Sequence, residues 1–331
     1  QAWECVRAIL EAIAARHQGK ACCGYIAEGG AGHYVKMVHN GIEYGDMQLI
    51  SEAYALLKYK GLDYATLSAT FENWNKGELD SFLIEITADI LRFKDTDGQY
   101  LLDKILDVAG QKGTGKWSAI AAMDENDPLT LVTEAVYARM LSALSDERKK
   151  ASELYSISDI TNNSISVDEI EQALYAAKLI SYAQGFSLLR RASVHYNWNL
   201  DYGTIAKIWR KGCIIRSVFL QKITDAYLKN PELENLLFDE FFRSKIQSSL
   251  PAWRKVVSAG ILDGIALPAM TSALSYFDGL KTLRSAANLI QAQRDYFGAH
   301  TYERVDKERG QFFHTNWTGT GGGTVSGTYN A

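Results

Sequence analysis

The sequence predicts an all-α protein: a large helical domain of two tandem related halves, with a short α/β remnant at the N-terminus. Three observations carry this. Only four of the 331 residues are proline (Pro128, Pro231, Pro251 and Pro268), and proline breaks helix interiors. Segments 43–58, 80–93, 129–146, 168–192, 204–228 and 270–295 all space their apolar residues at the helical period. An ordered set of short motifs also recurs later in the chain.

Residues 1–28 form the first element. Ala21–Ile26 is the best strand candidate in the chain. The cysteines are Cys5, Cys22, Cys23 and Cys213. Their spacing fits no usual zinc or redox motif, and four in so long a chain make no disulfide scaffold. They read as reduced thiols of a cytoplasmic protein. The first residue is Gln1, with no signal-like segment after it, so a truncated or processed start is the expectation.

Residues 29–46, GGAGHYVKMVHNGIEYGD, are the richest stretch. Gly29, Gly30 and Gly32 precede a helix expected over Val35–Asp46. Glycines let a backbone come close to a ligand, and a helix N-terminus offers unpaired N–H groups and the positive end of a dipole. From Lys36, the residues His39, Asn40 and Glu43 follow at spacings of three, four and seven. At about 100° per residue all four share one face. Val35, Val38 and Ile42 fall largely on the others. Lys36 is the natural general base and Glu43 a partner acid. His39 and Asn40 can hydrogen-bond a polyhydroxylated substrate. The bland alternative is a salt-bridged surface with an incidental histidine.

The repeat comes next. Leu49-Ile50-Ser51, Asp63-Tyr64, Trp74-Asn75-Lys76-Gly77 and Ile86-Thr87 recur as Leu179-Ile180-Ser181, Asp201-Tyr202, Trp209-Arg210-Lys211-Gly212 and Ile223-Thr224, at offsets of 130, 138, 135 and 137. This spacing is far longer than a solenoid repeat and implies two packed copies. Counted back from Leu179, the counterparts of Lys36, His39, Asn40 and Glu43 are Ser166, Glu169, Ile170 and Ala173. The constellation therefore belongs to a site built on one copy.

Residues 105–117, ILDVAGQKGTGKW, contain a glycine-flanked basic loop. The spacing lacks the full G-x-x-x-x-G-K-[ST] pattern, so a nucleoside triphosphate is not its ligand. Lys112 is the expected anion contact and Lys116 the solvated lysine. Asp127-Pro128 and Asn230-Pro231 read as helix starts, each an N-cap followed by proline. Arg139 sits in the otherwise apolar run EAVYARMLSAL. Its planar fork suits phosphate, and an internal salt bridge is the alternative. Arg294 and His300 lie near the end of the last long helix. The tail, 311–331, turns to Gly and Thr, which reads as flexible. Trp317 and Tyr329 within it suggest docking.

Composition excludes two classes. A net charge of −4 argues against bulk nucleic-acid binding, which needs a basic surface. No apolar run reaches the roughly 18 residues that span a bilayer. The matches to the glycosylation pattern at Asn162 and Asn316 carry no weight without secretion.

GGAGHYVKMVHNGIEYGDMQLI, ILDVAGQKGTGKW and the FHTNW…YNA tail together resemble the C-terminal part of the decarboxylating 6-phosphogluconate dehydrogenases. The likeness runs from about Cys22 to Ala331. It implies a helical substrate and dimerisation domain over 29–310. It also implies a tail, 311–331, that docks on the partner subunit of a homodimer. Residues 1–28 would be the end of a dinucleotide-binding α/β domain. The implied reaction converts 6-phospho-D-gluconate to ribulose 5-phosphate and CO2, with NADP as hydride acceptor and no metal. Lys36 resembles the base and Glu43 the acid. His39, Asn40, Tyr44, Lys112 and Arg139 resemble substrate contacts from the same subunit. Arg294 and His300 resemble contacts from the other subunit, and Ser326, Gly327, Thr328 and Tyr329 cofactor contacts across the dimer.

One departure stands out: no G-x-G-x-x-G turn opens this chain. The expectation is a fragment that binds NADP poorly and is inactive in isolation. The rivals are a non-catalytic dimerising or sugar-phosphate-binding derivative, and a related hydroxyacid dehydrogenase. The intact Lys36/Glu43 pair weighs against the first, and the KGTGKW loop and tail against the second.

Overall fold

The computed structural model describes residues 2–155 and 164–319. The order is α1 (Ala2–Ile13), a hairpin of β1 (Arg16–His17) and β2 (Lys20–Ala21), α2 (Ala31–Tyr59), α3 (Tyr64–Trp74), α4 (Phe82–Arg92), α5 (Thr114–Asp124), α6 (Thr130–Ser142) and α7 (Ser145–Leu154). Then come α8 (Val167–His195), α9 (Tyr202–Trp209), α10 (Leu220–Lys229), α11 (Glu240–Leu262), α12 (Pro268–Leu280) and α13 (Ala287–Gly298). A second hairpin, β3 (Tyr302–Glu303) with β4 (Phe312–Phe313), follows. Packing divides the chain into two units, Gln1–Tyr276 and Phe277–Ala331. The sequence places a boundary at 310/311; the packing boundary falls earlier.

The first unit is the duplicated body. α2 and α8 are each 29 residues long. α6 and α12 are each 13. α3 and α9 start behind equivalent aspartates. Asp63 accepts from Thr66 N at 2.8 Å and Asp201 from Thr204 N at 2.9 Å, each satisfying a first-turn N–H. The two copies are joined by a β-bridge, Ser81 with Ser217. α8 is buried nearly all round from Ile170 to Ser193, as expected of a helix apolar on every side.

Glycine sets the closeness of the helix crossings. A Cβ on Gly185 would lie 2.6 Å from Ile42 Cδ1, and one on Gly45 would lie 2.7 Å from Ser181 Oγ. Across this contact Lys178 pairs with Asp46, both buried. Tyr182 OH lies 3.2 Å from Asp46 and 3.0 Å from the Ile215 carbonyl, its single proton shared between the two acceptors.

Several expectations change. The strand Ala21–Ile26 shrinks to Lys20–Ala21, paired only with Arg16–His17, because no further described strand lies beside it. Segment 204–228 breaks into α9 and α10 around Gly212, whose φ is +76°. Segment 270–295 breaks between Leu280 and Ala287. Pro128 precedes α6 without starting it, because Asp127 turns its carboxylate to Ser187 and Arg191. Pro231 opens no α-helix; Pro268 does. The helix-to-helix offset is 136, not 130. The counterparts of Lys36, His39, Asn40 and Glu43 are therefore Gln172, Tyr175, Ala176 and Leu179. The constellation is still absent from the second copy.

Candidate active site

α2 places the four polar side chains as its period dictates. Lys36 Nζ lies 3.1 Å from His39 Nδ1, and Nδ1 lies 3.0 Å from Asn40 Oδ1. One ring nitrogen cannot serve both contacts with one proton. When Lys36 is charged, its ammonium donates to an unprotonated Nδ1. When Nδ1 carries the proton, it donates to Asn40 Oδ1 and releases the lysine. His39 is buried. Burial, and then the charge of Lys36, push its pKa down to about 4. The imidazole is therefore neutral near pH 7. It rests edge-on against Trp209 at 5.5 Å.

Glu43 lies one turn further along the helix and is half-buried. Burial raises its pKa; Lys36 and Arg139 pull it back, and Asp46 pushes it up. A carboxyl group biased toward its protonated form suits a proton donor. No ion pair joins it to Lys36 among the described residues.

The next residue, Tyr44, is buried. Arg139 stacks on its ring at 3.6 Å, a cation–π contact. Arg139 also donates to the Gly110 carbonyl at 3.1 Å. This stacking stands in place of the internal salt bridge that was the alternative to a phosphate contact. The KGTGKW segment is fixed here too. Gly113 takes φ +96° ahead of α5. A Cβ on Gly115 would lie 2.5 Å from the Tyr44 ring. Ser118 Oγ donates to the Met37 carbonyl at 2.9 Å. The loop's glycines therefore fit it against α2. Lys112, on the same loop, is exposed.

A cavity of about 300 Å³ opens beside Lys36 and His39. Its far wall is Ile208, Trp209, Lys211, Gly212 and Cys213 from the second copy, with Cys22 and Cys23 at one side. The site is thus not built on one copy alone, as the sequence suggests. The second copy contributes its W-x-K-G turn, and that repeated motif is the signal that could have located it. The first copy's Trp74 is a core residue against Phe71. Lys36 itself is exposed at the cavity's rim. Cys213 donates its thiol to the Trp209 carbonyl at 3.1 Å.

α2 thus brings together Lys36, His39, Asn40, Glu43, Tyr44 and Arg139. Arg294 and His300 belong to the second unit. Ser326, Gly327, Thr328 and Tyr329 lie outside the described residues. Among the described residues no cluster of three or more His, Cys, Asp or Glu could hold a metal ion. No helix among them is long and apolar enough to cross a membrane.

Comparison with known proteins identifies the family. The family "6-phosphogluconate dehydrogenase, C-terminal domain" matches residues 32–317. Decarboxylating 6-phosphogluconate dehydrogenases from Aggregatibacter actinomycetemcomitans and Homo sapiens are each 55% identical. Both matches cover 100% of this chain, and 69% and 70% of those proteins respectively. A Plasmodium falciparum 6-phosphogluconate dehydrogenase, solved alone and with NADP+ or 6-phosphogluconate, superposes with a TM-score of 0.92. It is 45% identical and covers 96% of this chain and 69% of its own.

Proposed function

Because the chain belongs to the family of decarboxylating 6-phosphogluconate dehydrogenases, we propose that α2 carries the base and the acid of that reaction, Lys36 and Glu43. The reaction is the oxidative decarboxylation of 6-phospho-D-gluconate to D-ribulose 5-phosphate and CO2, in the pentose phosphate pathway. NADP, when bound, accepts the hydride that leaves C3. The described strands are only two short hairpins, which do not fit a dinucleotide fold. The roles of the described residues are therefore acid, base and substrate binding.

Lys36 as the free amine takes the proton of the 3-hydroxyl. The product is a β-keto acid, so the electrons of the C1–C2 bond can flow into the new carbonyl as CO2 departs. The ammonium of Lys36 donates to that oxygen where negative charge develops. Glu43, whose pKa burial raises, then protonates the former C2, which becomes C1 of ribulose 5-phosphate, while the hydroxyl on the former C3 returns its proton to Lys36. His39 and Asn40 hold substrate hydroxyls. Tyr44, Arg139 and Lys112 complete the contacts from the same subunit.

The working unit is a homodimer with shared sites. Arg294 and His300 reach the phosphate from the other subunit, and the tail with Ser326–Tyr329 reaches the cofactor. The exposed apolar residues Leu289, Ile290 and Phe297 on α13 support an interface there. A cytoplasmic location is supported by cysteines that the structure leaves unpaired.

One observation carries the reading: the hydrogen-bonded Lys36–His39–Asn40 set, with Glu43, whose carboxyl burial pushes upward in pKa, on the same helix face. Lys36→Met in the intact protein tests it. NADP reduction driven by 6-phosphogluconate should fall at least about a thousandfold, while calorimetry finds substrate binding within a few-fold. Near-normal turnover would remove Lys36 from the role of base.

A further inference from the structure

In the second unit one carboxylate organises everything around Arg294 and His300. Asp295 is fully buried. Its Oδ1 accepts from Thr301 N at 3.0 Å and from His314 Nδ1 at 2.9 Å. Its Oδ2 accepts from Thr315 N at 3.0 Å and from Trp317 Nε1 at 2.8 Å. A carboxylate offers about four acceptor positions, and all are filled. Burial alone would raise its pKa, but the four donors outweigh burial and hold it below the usual range.

This carboxylate is more than a fastening for the tail. The turn it closes contains two non-glycine residues with left-handed backbone, Ala299 at φ 48° and Thr301 at φ 58°. Each costs about 1 kcal/mol, and such strain persists only where surroundings enforce it. His300 sits between them. Gln291 Nε2 donates to the Thr301 carbonyl at 2.5 Å, while its Oε1 accepts from Arg294 at 3.2 Å. A Cβ on Gly298 would lie 2.7 Å from His300 Nε2, so only glycine leaves the imidazole where it is. The ring packs edge-on against Phe297. Arg294, near the end of α13, and His300, on the strained turn that follows it, are thereby both tied to Gln291 and to the turn that Asp295 closes, and a guanidinium with an imidazole suits an anion of several oxygens.

We propose that Asp295 is a positioning residue for phosphate recognition, holding Arg294 and His300 in binding geometry, with Gln291 and Gly298 assisting. This rests on the reading of Arg294 and His300 as phosphate contacts. It also accounts for the HTNW sequence, three of whose residues supply donors to one carboxylate.

The test compares Asp295→Asn, Gly298→Ala and the Arg294→Ala/His300→Ala double variant in the intact protein at saturating NADP. Readouts are KM for 6-phosphogluconate, kcat and thermal unfolding. Asp295→Asn should raise KM about tenfold or more with kcat within about twofold. The same change added to the double variant should leave its KM nearly where it was, because Asp295 acts through those two groups. Gly298→Ala should raise KM without lowering the unfolding temperature. An unchanged KM in Asp295→Asn overturns the proposal. So does an equal KM rise in the double-variant background, or a parallel collapse of kcat. If Asp295→Asn does not fold, Gly298→Ala decides: a raised KM supports positioning and an unchanged one overturns it. An unchanged KM in the double variant itself overturns the reading of Arg294 and His300, and this proposal with it.

Discussion

α2 and α8 are equally long and hold equivalent places in the two copies, yet they begin in opposite ways. α8 opens with a capping box. Ser166 Oγ accepts from Glu169 N at 3.1 Å, and the Glu169 carboxylate accepts from Ser166 N at 2.7 Å. α2 opens behind Gly30 with no side-chain cap at all. One copy satisfies its first turn internally; the other leaves those N–H groups for whatever approaches. The interiors differ in the same sense. α8 buries apolar side chains nearly all round, and its buried cation, Lys178, is neutralised by Asp46. α2 buries a histidine and sets Lys36 at the rim of the cavity, with Asn40 and Glu43 following along the helix. After duplication, one copy kept to stability and the other accepted local cost in exchange for chemistry.

The largest effect should come from breaking the ion pair that joins the copies. Lys178→Met leaves the Asp46 carboxylate buried without its cation. The expected loss is about 3–5 kcal/mol, read as a lower urea midpoint. Adding Asp46→Asn should restore most of it, because a neutral amide costs less to bury. A loss below about 1 kcal/mol in the single variant would mean that the pair does not hold the copies together.

A smaller effect concerns how α2 grips α12. Glu52 accepts from Ala269 N at 2.8 Å and from Met270 N at 2.9 Å. In the other copy α8 grips α6 from one turn earlier, through the neutral amide of Gln184, whose Oε1 accepts from Leu131 N at 3.1 Å. Burial pushes the Glu52 pKa from 4.5 up to about 7, against the pull of its donors. The folded state therefore holds this proton more tightly than the unfolded chain. Its contribution is complete below about pH 4.5 and is lost as pH rises to about 7, a change of about 3 kcal/mol. Glu52→Gln should flatten that part of the stability–pH curve, measured by urea unfolding at several pH values. An unaltered slope would show that Glu52 is not the group responsible.

Much of this contrast was legible in the residue order, and the exceptions have physical causes. Lys36, His39, Asn40 and Glu43 could be placed on one face because helical periodicity alone decides that. The duplication was legible from W-x-K-G and the Asp-Tyr starts. Its offset was not, because matching Leu-Ile-Ser triplets fall in different turns of two helices of equal length. The second copy's share of the cavity was hidden, because Trp209 reaches His39 through tertiary packing across many residues. The glycines around Lys112 point to an anion contact in the residue order; they also answer the needs of packing against Tyr44 and of a left-handed turn at Gly113, which only the fold reveals. Asp295 gave no signal, since its donors lie up to 22 residues away.

The finest test exchanges the two N-termini. Ser166→Ala removes the cap of α8 and should cost about 1 kcal/mol, with turnover unchanged. Gly30→Ser with His33→Glu would build a capping box at the same positions of α2. Nothing lies within 4 Å of a Cβ at Gly30 and its φ is −84°, so a side chain fits there, and the cap forms as ψ turns from 3° toward the 165° that Ser166 holds. The new cap should add about 1 kcal/mol of stability. It should also weaken substrate binding, since the introduced carboxylate would bring negative charge to an end that favours anions. A rise in stability with unchanged KM for 6-phosphogluconate would show that the open N-terminus of α2 is not part of the site. A rise in both stability and KM would show that the missing cap is a cost this copy bears for its ligand.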